Sequence, residues 1–298
     1  MRQIQLTDDR LFPKHMFSVI NDPVETKSDP GILIIIPSKN RNDLLFQCVN
    51  SIILQTSTTL TRVVVAIVDT GSTPETIDSI KQYIHENDSH IRLTLLPHGY
   101  YNFAKNNNQA FREMYSSEID YVLFCNNDVK LLNDAVSRCL KVYETKKNVG
   151  TVGIRLHFGD GKIQHLGAFC KADQTGKLAP GHYGFGRITT GSVLKETKQV
   201  DCNTAAFVMM PAKMFDAIKF NETYQECYED VELNLAAAIK FNVLNYIDCG
   251  AAAFHFESQT RNEDPQKQNK QNADLLKLGT FVNANRHHTY IKKYVLNM

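Results

Sequence analysis

Amide and acidic side chains follow one apolar run in the middle of the chain. Asn126, Asn127 and Asp128 come directly after Tyr121–Cys125. A carboxylate in that position, beside small amides, suits a divalent cation that bridges phosphate oxygens, because hard cations take oxygen ligands. An Asx-turn or a helix cap would use Asn127 or Asp128 without any metal. The motif alone leaves both interpretations open.

A second carboxylate, Asp69, has the same position after another apolar run, residues 63–68. In that position it is suited to accept a hydrogen bond from the base or ribose of a nucleotide. It is equally suited to form an Asx-turn before Gly71. Asp69 is therefore a candidate nucleoside contact with a structural alternative.

Two adjacent acids, Glu229 and Asp230, stand where the sequence predicts the start of a helix. Acidic residues there are stabilised by the helix dipole, so capping alone would explain the pair. The functional interpretation makes one carboxylate a general base, which must lie within hydrogen-bond reach of the proton it takes. The other carboxylate would orient the base or its acceptor.

His255 lies between two aromatic residues, Phe254 and Phe256. A histidine with apolar neighbours is often a buried core residue. If Asp128 binds a metal, the imidazole would complete a mixed nitrogen and oxygen ligand set, which manganese accepts. A further histidine, His165, has no role that the sequence assigns.

The elements that must position these residues follow an alternating pattern. Apolar runs at 32–36, 63–68, 91–96, 121–125 and 149–153 are separated by segments of helical periodicity. Such alternation predicts an α/β sheet with right-handed crossovers. Ligands of these sheets bind beyond the carboxyl ends of the strands, where the candidate acids lie. The second half predicts a hairpin around 159–161 and a loop over the site at 176–191.

Composition and charge exclude several classes. Lys and Arg number 33 against 32 Asp and Glu, a net charge of +1, so no overall field recruits nucleic acid. Seven cysteines without a Cys-x-x-Cys pair favour reduced thiols in a cytoplasmic protein. The N-terminus lacks the apolar region of a secretory signal, and no apolar run approaches the ~20 residues of a membrane span. The sequence has no P-loop motif, which excludes P-loop enzymes, and no Gly-x-Ser-x-Gly motif, which disfavours a serine hydrolase of the α/β type.

Seven segments, in order along residues 31–261, resemble the motifs of family 2 glycosyltransferases of the GT-A fold, of the bacterial polysaccharide or O-antigen type. The segments are 37–41, 68–72, 102–110, 124–128, 163–167, 228–233 and 255–261. The resemblance implies a mixed, mainly parallel α/β sheet flanked by helices, with a small antiparallel hairpin and a C-terminal helical tail. It also implies an inverting transfer of a sugar from a nucleoside diphosphate to a hydroxyl.

The resemblance assigns roles residue by residue. Asp230 would be the base, supported by Glu229, and Asp128 and His255 would hold Mg²⁺ or Mn²⁺. The residues implied to bind the nucleotide sugar are Pro37, Lys39, Asn40, Asp69, Asn102, Asn108, Asn126, Asn127 and Arg261.

The sequence departs from the family pattern at three positions. Asn126 replaces the first acid of the Asp-x-Asp motif, Ala236 replaces an arginine, and Asn242 replaces a glycine. The loss of an acid at 126 leaves open a degenerate module that binds sugar nucleotides without catalysis. A sugar nucleotidyltransferase is a second alternative, which the absence of glycine from 37–41 disfavours.

The resemblance also divides the chain and suggests partners. It predicts a leader at 1–30, a catalytic domain at 31–261 with a nucleotide half at 31–128 and an acceptor half at 129–261, and a tail at 262–298. The donor is expected to carry UDP, and the acceptor is expected to be a glycan or a lipid-linked acceptor; nucleic acid is not expected. The basic end of the tail is compatible with a solvated helix face or with contact to the inner face of the membrane.

Overall fold

The computed structural model describes residues 24–26, 28–87, 89–173, 175–188, 196–256 and 265–298, which form one large mixed sheet with helices on both faces. The strands are β1 (Ile32–Ser38), β2 (Val63–Asp69), β3 (Arg92–Pro97), β4 (Tyr121–Cys125), β5 (Val129–Leu131), β6 (Val149–His157), β7 (Ile163–His165), β8 (Ala168–Ala172), β9 (Leu178–His182), β10 (Thr197–Val200), β11 (Phe207–Pro211) and β12 (Leu244–His255). The helices are α1 (Asn42–Gln55), α2 (Pro74–Glu86), α3 (Phe103–Met114), α4 (Ala135–Thr145), α5 (Ala212–Ile218), α6 (Glu229–Phe241) and α7 (Lys267–Ala284), and a π-helical turn follows at Ile291–Val295.

The order of the strands places a switch point in the middle of the sheet. The order is β10-β12-β6-β11-β4-β1-β2-β3. From β1 the chain steps outward to β2 and β3, and then returns to place β4 on the other side of β1; all four strands are parallel. The segments that leave β1 and β4 therefore diverge at the same edge, which is where such sheets bind ligands.

Period-two alternation along the strands distributes the core over both faces. Ile32, Ile34 and Ile36 pack toward α1, α2 and α4, whereas Leu33 and Ile35 pack toward α3, α5 and α6. All five side chains are fully buried. A strand buried on both faces reads as a continuous apolar run, which is why β1 could be recognised from the sequence.

The second half adds antiparallel pairing to this parallel core. β11 runs antiparallel to both β4 and β6, and β5 and β7 pair antiparallel with β12 and β6. β8 and β9 form a separate antiparallel hairpin. The predicted fold class, a mainly parallel sheet flanked by helices with a small antiparallel hairpin, is confirmed.

Local details differ from the sequence expectations. The stretch 176–191, predicted as a loop, contains β9, because its backbone pairs with β8. The run 243–247 predicts a strand, and β12 extends it as far as His255. Asn42 stands ahead of a helical pattern at 44–53, which makes it a possible cap, but it is the first residue of α1, and its amide donates to the carbonyl of Thr76. Most of the predicted leader lies outside the described residues.

Candidate active site

A cavity of about 720 Å³ opens at the carboxyl edge of the sheet. Nine of the predicted site residues line it: Pro37, Lys39, Asn40, Asn126, Asn127, Asp128, Glu229, Asp230 and His255. They come from four parts of the chain: the end of β1, the segment after β4, the start of α6 and the end of β12. The structure therefore brings the candidate metal ligands and the candidate base to one open cavity, of the size that holds small-molecule ligands.

Asp128 and His255 form a close pair at the wall of this cavity. The Oδ1 atom of Asp128 lies 3.2 Å from Nε2 of His255, and both side chains are largely buried. Backbone pairing enforces the contact, because β5 runs antiparallel to the end of β12 with Val129 opposite His255. The N–H of Phe256 also donates to the carbonyl of Asp128, at 3.0 Å.

Gln164 sets the orientation of the imidazole. Its Oε1 lies 2.7 Å from Nδ1 of His255, so Nδ1 carries the proton and donates. The lone pair of Nε2 then faces the carboxylate of Asp128 and the amide Nδ2 of Asn126, which lies 3.2 Å away. Gln164 belongs to a motif that the sequence singled out, but its hydrogen bond to His255 depends on the fold.

The chemistry of this donor set fits a divalent cation. A lone-pair nitrogen beside a carboxylate oxygen is the arrangement that an imidazole and a carboxylate present to Mn²⁺ or a similar ion. Among the described residues no three His, Cys, Asp or Glu side chains cluster to hold a metal. Asp128 and His255 would therefore supply two ligands, and the remaining positions would go to water and phosphate oxygens.

Side-chain hydrogen bonds join the loops that leave the parallel strands. The amide of Asn127 donates to Oγ of Ser38 at 3.0 Å, which ties the end of β4 to the end of β1. Asn40 has a left-handed backbone with a φ of 55°, a conformation that asparagine tolerates. Its Oδ1 accepts from the N–H of Thr73 at 2.9 Å, which ties the loops after β1 and β2.

Three predicted binding residues lie outside the cavity lining. Asp69 is buried and accepts from the N–H groups of Gly71 and Ser72, at 3.3 and 3.0 Å, as the Asx-turn alternative expected. Asn102 caps α3, and Asn108 hydrogen-bonds the backbone of Phe220 in both directions. Arg261 falls outside the described residues.

The two acids at 229 and 230 begin α6. Asp230 accepts from its neighbour Val231 at 2.8 Å and from the N–H of Ala205 at 3.0 Å, so its carboxylate is fixed between the helix and the segment before β11. Glu229 is buried beside it. The preceding residue, Tyr228, has a φ of 73°, which is unusual for an aromatic side chain.

A buried amide network, which sequence reasoning missed, supports this helix start. Asn234 is fully buried; its amide donates to the carbonyl of Asp230 at 2.7 Å, and its Oδ1 accepts from the N–H of Asn203 at 3.0 Å. Thr151 and Asn245 extend the network to β6 and β12. A polar residue on the inward face of an otherwise apolar helix is the signal that could have found Asn234.

His165 packs behind the cavity wall. Its Nδ1 lies 2.8 Å from Nδ1 of His182, a cavity residue. Burial and then the neighbouring His182 hold the pKa of His165 well below its usual value. His165 is therefore neutral at physiological pH and supports the β8–β9 hairpin.

Aromatic and tail residues complete the cavity. Tyr101 and Phe185 at its wall are 55% and 59% exposed, which suits contact with the flat faces of a ligand. Lys267 and Gln271 of α7 also line it, so residues beyond 261 take part in the site. None of the helices that the structure describes combines the length and the apolar character needed to cross a bilayer.

Comparison with solved structures finds this fold at low sequence identity, and two of the similar structures illustrate it. GalNAc-T7 with UDP, GalNAc and Mn²⁺ superposes with a TM-score of 0.59 at 10% identity, over 77% of this chain and 44% of that one. The mannosyltransferase PcManGT from Pyrobaculum calidifontis, in complex with GDP-Man and Mn²⁺, gives 0.55 at 14% identity, over 82% and 61%. The predicted GT-A fold is confirmed.

Sequence comparison identifies the family. The chain is 29% identical over 218 residues to the O-antigen biosynthesis protein RfbC of Myxococcus xanthus, a match that covers 70% of this chain but only 16% of that relative. The sequence model of Glycosyl transferase family 2 matches residues 33–208, which is more than half of the chain. The chain belongs to glycosyl transferase family 2.

Proposed function

We propose that this chain transfers a sugar, with inversion, from a nucleoside-diphosphate sugar to a hydroxyl group of an acceptor. One observation carries the proposal: the Asp128–His255 pair and the Asp230 carboxylate line the same cavity at the switch point of the sheet. A cation site and a base on one cavity are the two parts that direct displacement of a nucleoside diphosphate needs.

Asp128 and His255 are proposed to hold the divalent cation. Mn²⁺ accompanies a nucleotide or nucleotide sugar in both structural neighbours, which supports this assignment. When bound, the ion supplies Lewis-acid stabilisation of negative charge on the leaving diphosphate. Gln164 orients the imidazole of His255 through Nδ1, so that Nε2 would be available to hold the ion. Asn126 occupies the position where the family has an acid.

Asp230 is proposed to be the general base. Its carboxylate is held by two N–H groups and opens on the cavity, so it is placed to take the proton of an acceptor hydroxyl during attack on the anomeric carbon. Glu229 is proposed to support it. General-base catalysis of this kind accelerates transfer by ~10²–10⁴-fold.

The segments after β1 and β4 are proposed to bind the nucleoside and diphosphate. Pro37, Lys39, Asn40 and Asn127 line that part of the cavity. Asp69, Asn102 and Asn108 are proposed to support donor binding indirectly, by stabilising the turns and loops that they hydrogen-bond. Arg261 is proposed to contact the diphosphate. UDP is the first donor to test, with GDP and dTDP donors beside it.

The acceptor is proposed to be a glycan or a lipid-linked glycan of a surface polysaccharide, as the name of the relative RfbC suggests. Arg286, Lys292 and Lys293 are exposed near the end of the chain. They are proposed to contact the cytoplasmic face of the membrane that carries such an acceptor.

A donor screen tests the proposal. UDP-, GDP- and dTDP-sugars are mixed with the protein and Mn²⁺; thermal shift reports binding, and release of the nucleoside diphosphate reports transfer to water. We expect one donor class to stabilise the protein and to be hydrolysed slowly, with both effects lost in EDTA. Tight donor binding without any turnover would favour the degenerate binding module, and turnover unaffected by EDTA would contradict the metal assignment.

A further inference from the structure

A buried carboxylate in α7 has no part in the reaction described above. Asp274 is fully buried, and its Oδ2 accepts from the backbone N–H groups of three consecutive residues, Gln225, Glu226 and Cys227, at 3.0, 2.7 and 3.2 Å. The ammonium of Lys277 lies 2.9 Å from its Oδ1. Four donors offset the desolvation of this carboxylate, which would otherwise be costly to bury.

Converging N–H groups of this kind form a concave site for an anion. Here the anion is a side chain from another part of the chain, 47 to 49 residues away in sequence. The contact fixes the backbone of 225–227 from outside the segment itself. Removing the carboxylate would leave these three N–H groups without this acceptor.

The fixed segment leads directly into the candidate base. Tyr228, next in the chain, has the left-handed conformation, and Glu229 and Asp230 follow it. A non-glycine residue in that conformation persists only when its surroundings hold it. The hydrogen bonds to Asp274 end at Cys227, immediately before Tyr228, so they hold the backbone where the turn into α6 begins.

The same face of α7 reaches the cavity. Lys267, Gln271 and Asp274 are spaced four and three residues apart, which places them on one side of a helix. The first two line the cavity. The anchoring of Asp274 therefore sets both the turn into α6 and the position of α7 against the cavity.

We propose that Asp274 is a positioning residue for Asp230: its carboxylate holds 225–227 so that α6 begins with the base directed at the cavity. This inference rests on the proposed function. The inference gives the tail, residues 262–298, a part in catalysis in addition to the proposed contact with the membrane.

The test compares Asp274→Asn with the wild-type chain, using the donor that the wild type hydrolyses fastest in the screen above. Asparagine retains one acceptor oxygen but loses the second and the charge. We expect kcat for hydrolysis to fall about 10- to 100-fold, as a small misplacement of a reacting group does, and KM for the donor to change less than about threefold. Asp134→Asn is the matched control, because Asp134 accepts from a backbone N–H at the start of α4, away from the cavity.

A second variant protects the test against a folding failure. Lys277→Gln removes the ammonium but leaves the three N–H donors, and should lower kcat in the same direction by a smaller factor. Wild-type kcat in Asp274→Asn, or a rise in donor KM equal to the loss in kcat, would overturn the inference.

Amide exchange separates this inference from the proposed function. If the wild type hydrolyses no donor, the proposed function fails, and deuterium uptake at 225–231 decides the positioning role. We expect faster uptake there in Asp274→Asn than in Asp134→Asn. Equal uptake in the two variants would overturn the role of Asp274.

Discussion

Two sides of the cavity, the segments after β1 and β4 and the start of α6, are held in place by different kinds of hydrogen bond. Residues 37–41 and 126–128 leave β1 and β4, which are neighbouring parallel strands with Ile35 opposite Phe124. Their spacing is set mainly by the backbone hydrogen bonds of the sheet, to which the side chains of Asn40 and Asn127 add one bond each. Glu229 and Asp230 instead begin a helix that is fixed by side chains, namely Asn234 from within the helix and Asp274 from α7.

This difference indicates where single substitutions act. We call residues 37–41 and 126–128 the donor side of the cavity, and the start of α6 the base side, after their proposed roles. Side-chain substitutions do not remove the backbone hydrogen bonds between strands, so the donor side should tolerate conservative changes in its core. A network of buried amides and carboxylates fails when one member is removed, because its partners are left unsatisfied. Substitutions on the base side, at residues such as Asn234 and Asp274 that do not touch the substrate, should therefore lower the activity.

The largest expected effect is that of Asp230→Asn. The amide cannot take a proton, so kcat for transfer should fall ~10²–10⁴-fold. KM for the donor should stay within about threefold, because the donor side is held independently. Steady-state kinetics of donor hydrolysis measures both constants, and a near wild-type kcat would reject Asp230 as the base.

Gln164→Ala tests a side-chain hydrogen bond that orients the candidate metal ligand His255. The variant removes the 2.7 Å hydrogen bond that fixes the proton on Nδ1 of His255, so the orientation and tautomer of the imidazole are less well defined. The Mn²⁺ concentration for half-maximal activity should rise about 10- to 100-fold. Gln199→Ala, which removes an exposed amide of β10, serves as the control and should leave the metal dependence unchanged.

Asn234→Ala tests the base side away from the reacting atoms. Removing this amide takes away the acceptor for the N–H of Asn203 and the donor for its carbonyl, so the free energy of unfolding should fall by about 1–3 kcal/mol. Urea denaturation gives the stability, and kcat should fall as well. A destabilised variant with wild-type kcat would contradict the link between network and base.

Acid should weaken the second half through its buried histidines. Burial lowers the pKa of His157 from 6.5 to about 4, and His165 is lowered in the same direction. The unfolded chain binds these protons first, so stability is lost as pH falls below about 6.5, in the window that ends near pH 4. Between pH 7 and 5 the loss from His157 should be about 2 kcal/mol, measured by urea denaturation. His157→Gln should reduce this pH dependence, and an equal dependence in that variant would contradict the assignment.

The smallest effect should come from the core of the parallel strands. Ile35→Val removes one buried methylene and should cost about 0.5–1.5 kcal/mol of unfolding free energy. Because the backbone ladder is intact, kcat and donor KM should equal those of the wild type. A loss of activity in this variant would show that the two sides do not differ as described.

The donor side was predictable from the sequence because its signals are local. The run 32–36 predicts a buried strand from its own composition, and the carboxyl end of such a strand locates the site without further information. The start of α6 was predicted in the same way, from two acids ahead of a helical pattern.

Long-range partners account for what was missed. β9 contains Pro180 and Gly181, which disfavour a strand until β8 provides one to pair with. Asp274 lies in a polar stretch that is typical of a solvated helix. Its burial depends on the segment 225–227, which is distant in sequence and packs against α7. Asn102 and Asn108 follow the family motif in sequence, yet their amides face loops that the motif does not describe.

β12 links the two chemistries of the cavity in one piece of backbone. Asn245, near its start, belongs to the amide network behind Asp230, and His255, at its end, is the candidate metal ligand. A single strand therefore connects the candidate metal ligand with the network that supports the candidate base. The insertion or deletion of one residue between Asn245 and His255 would shift the imidazole relative to that network, so we expect variation in length to be confined to the surrounding loops.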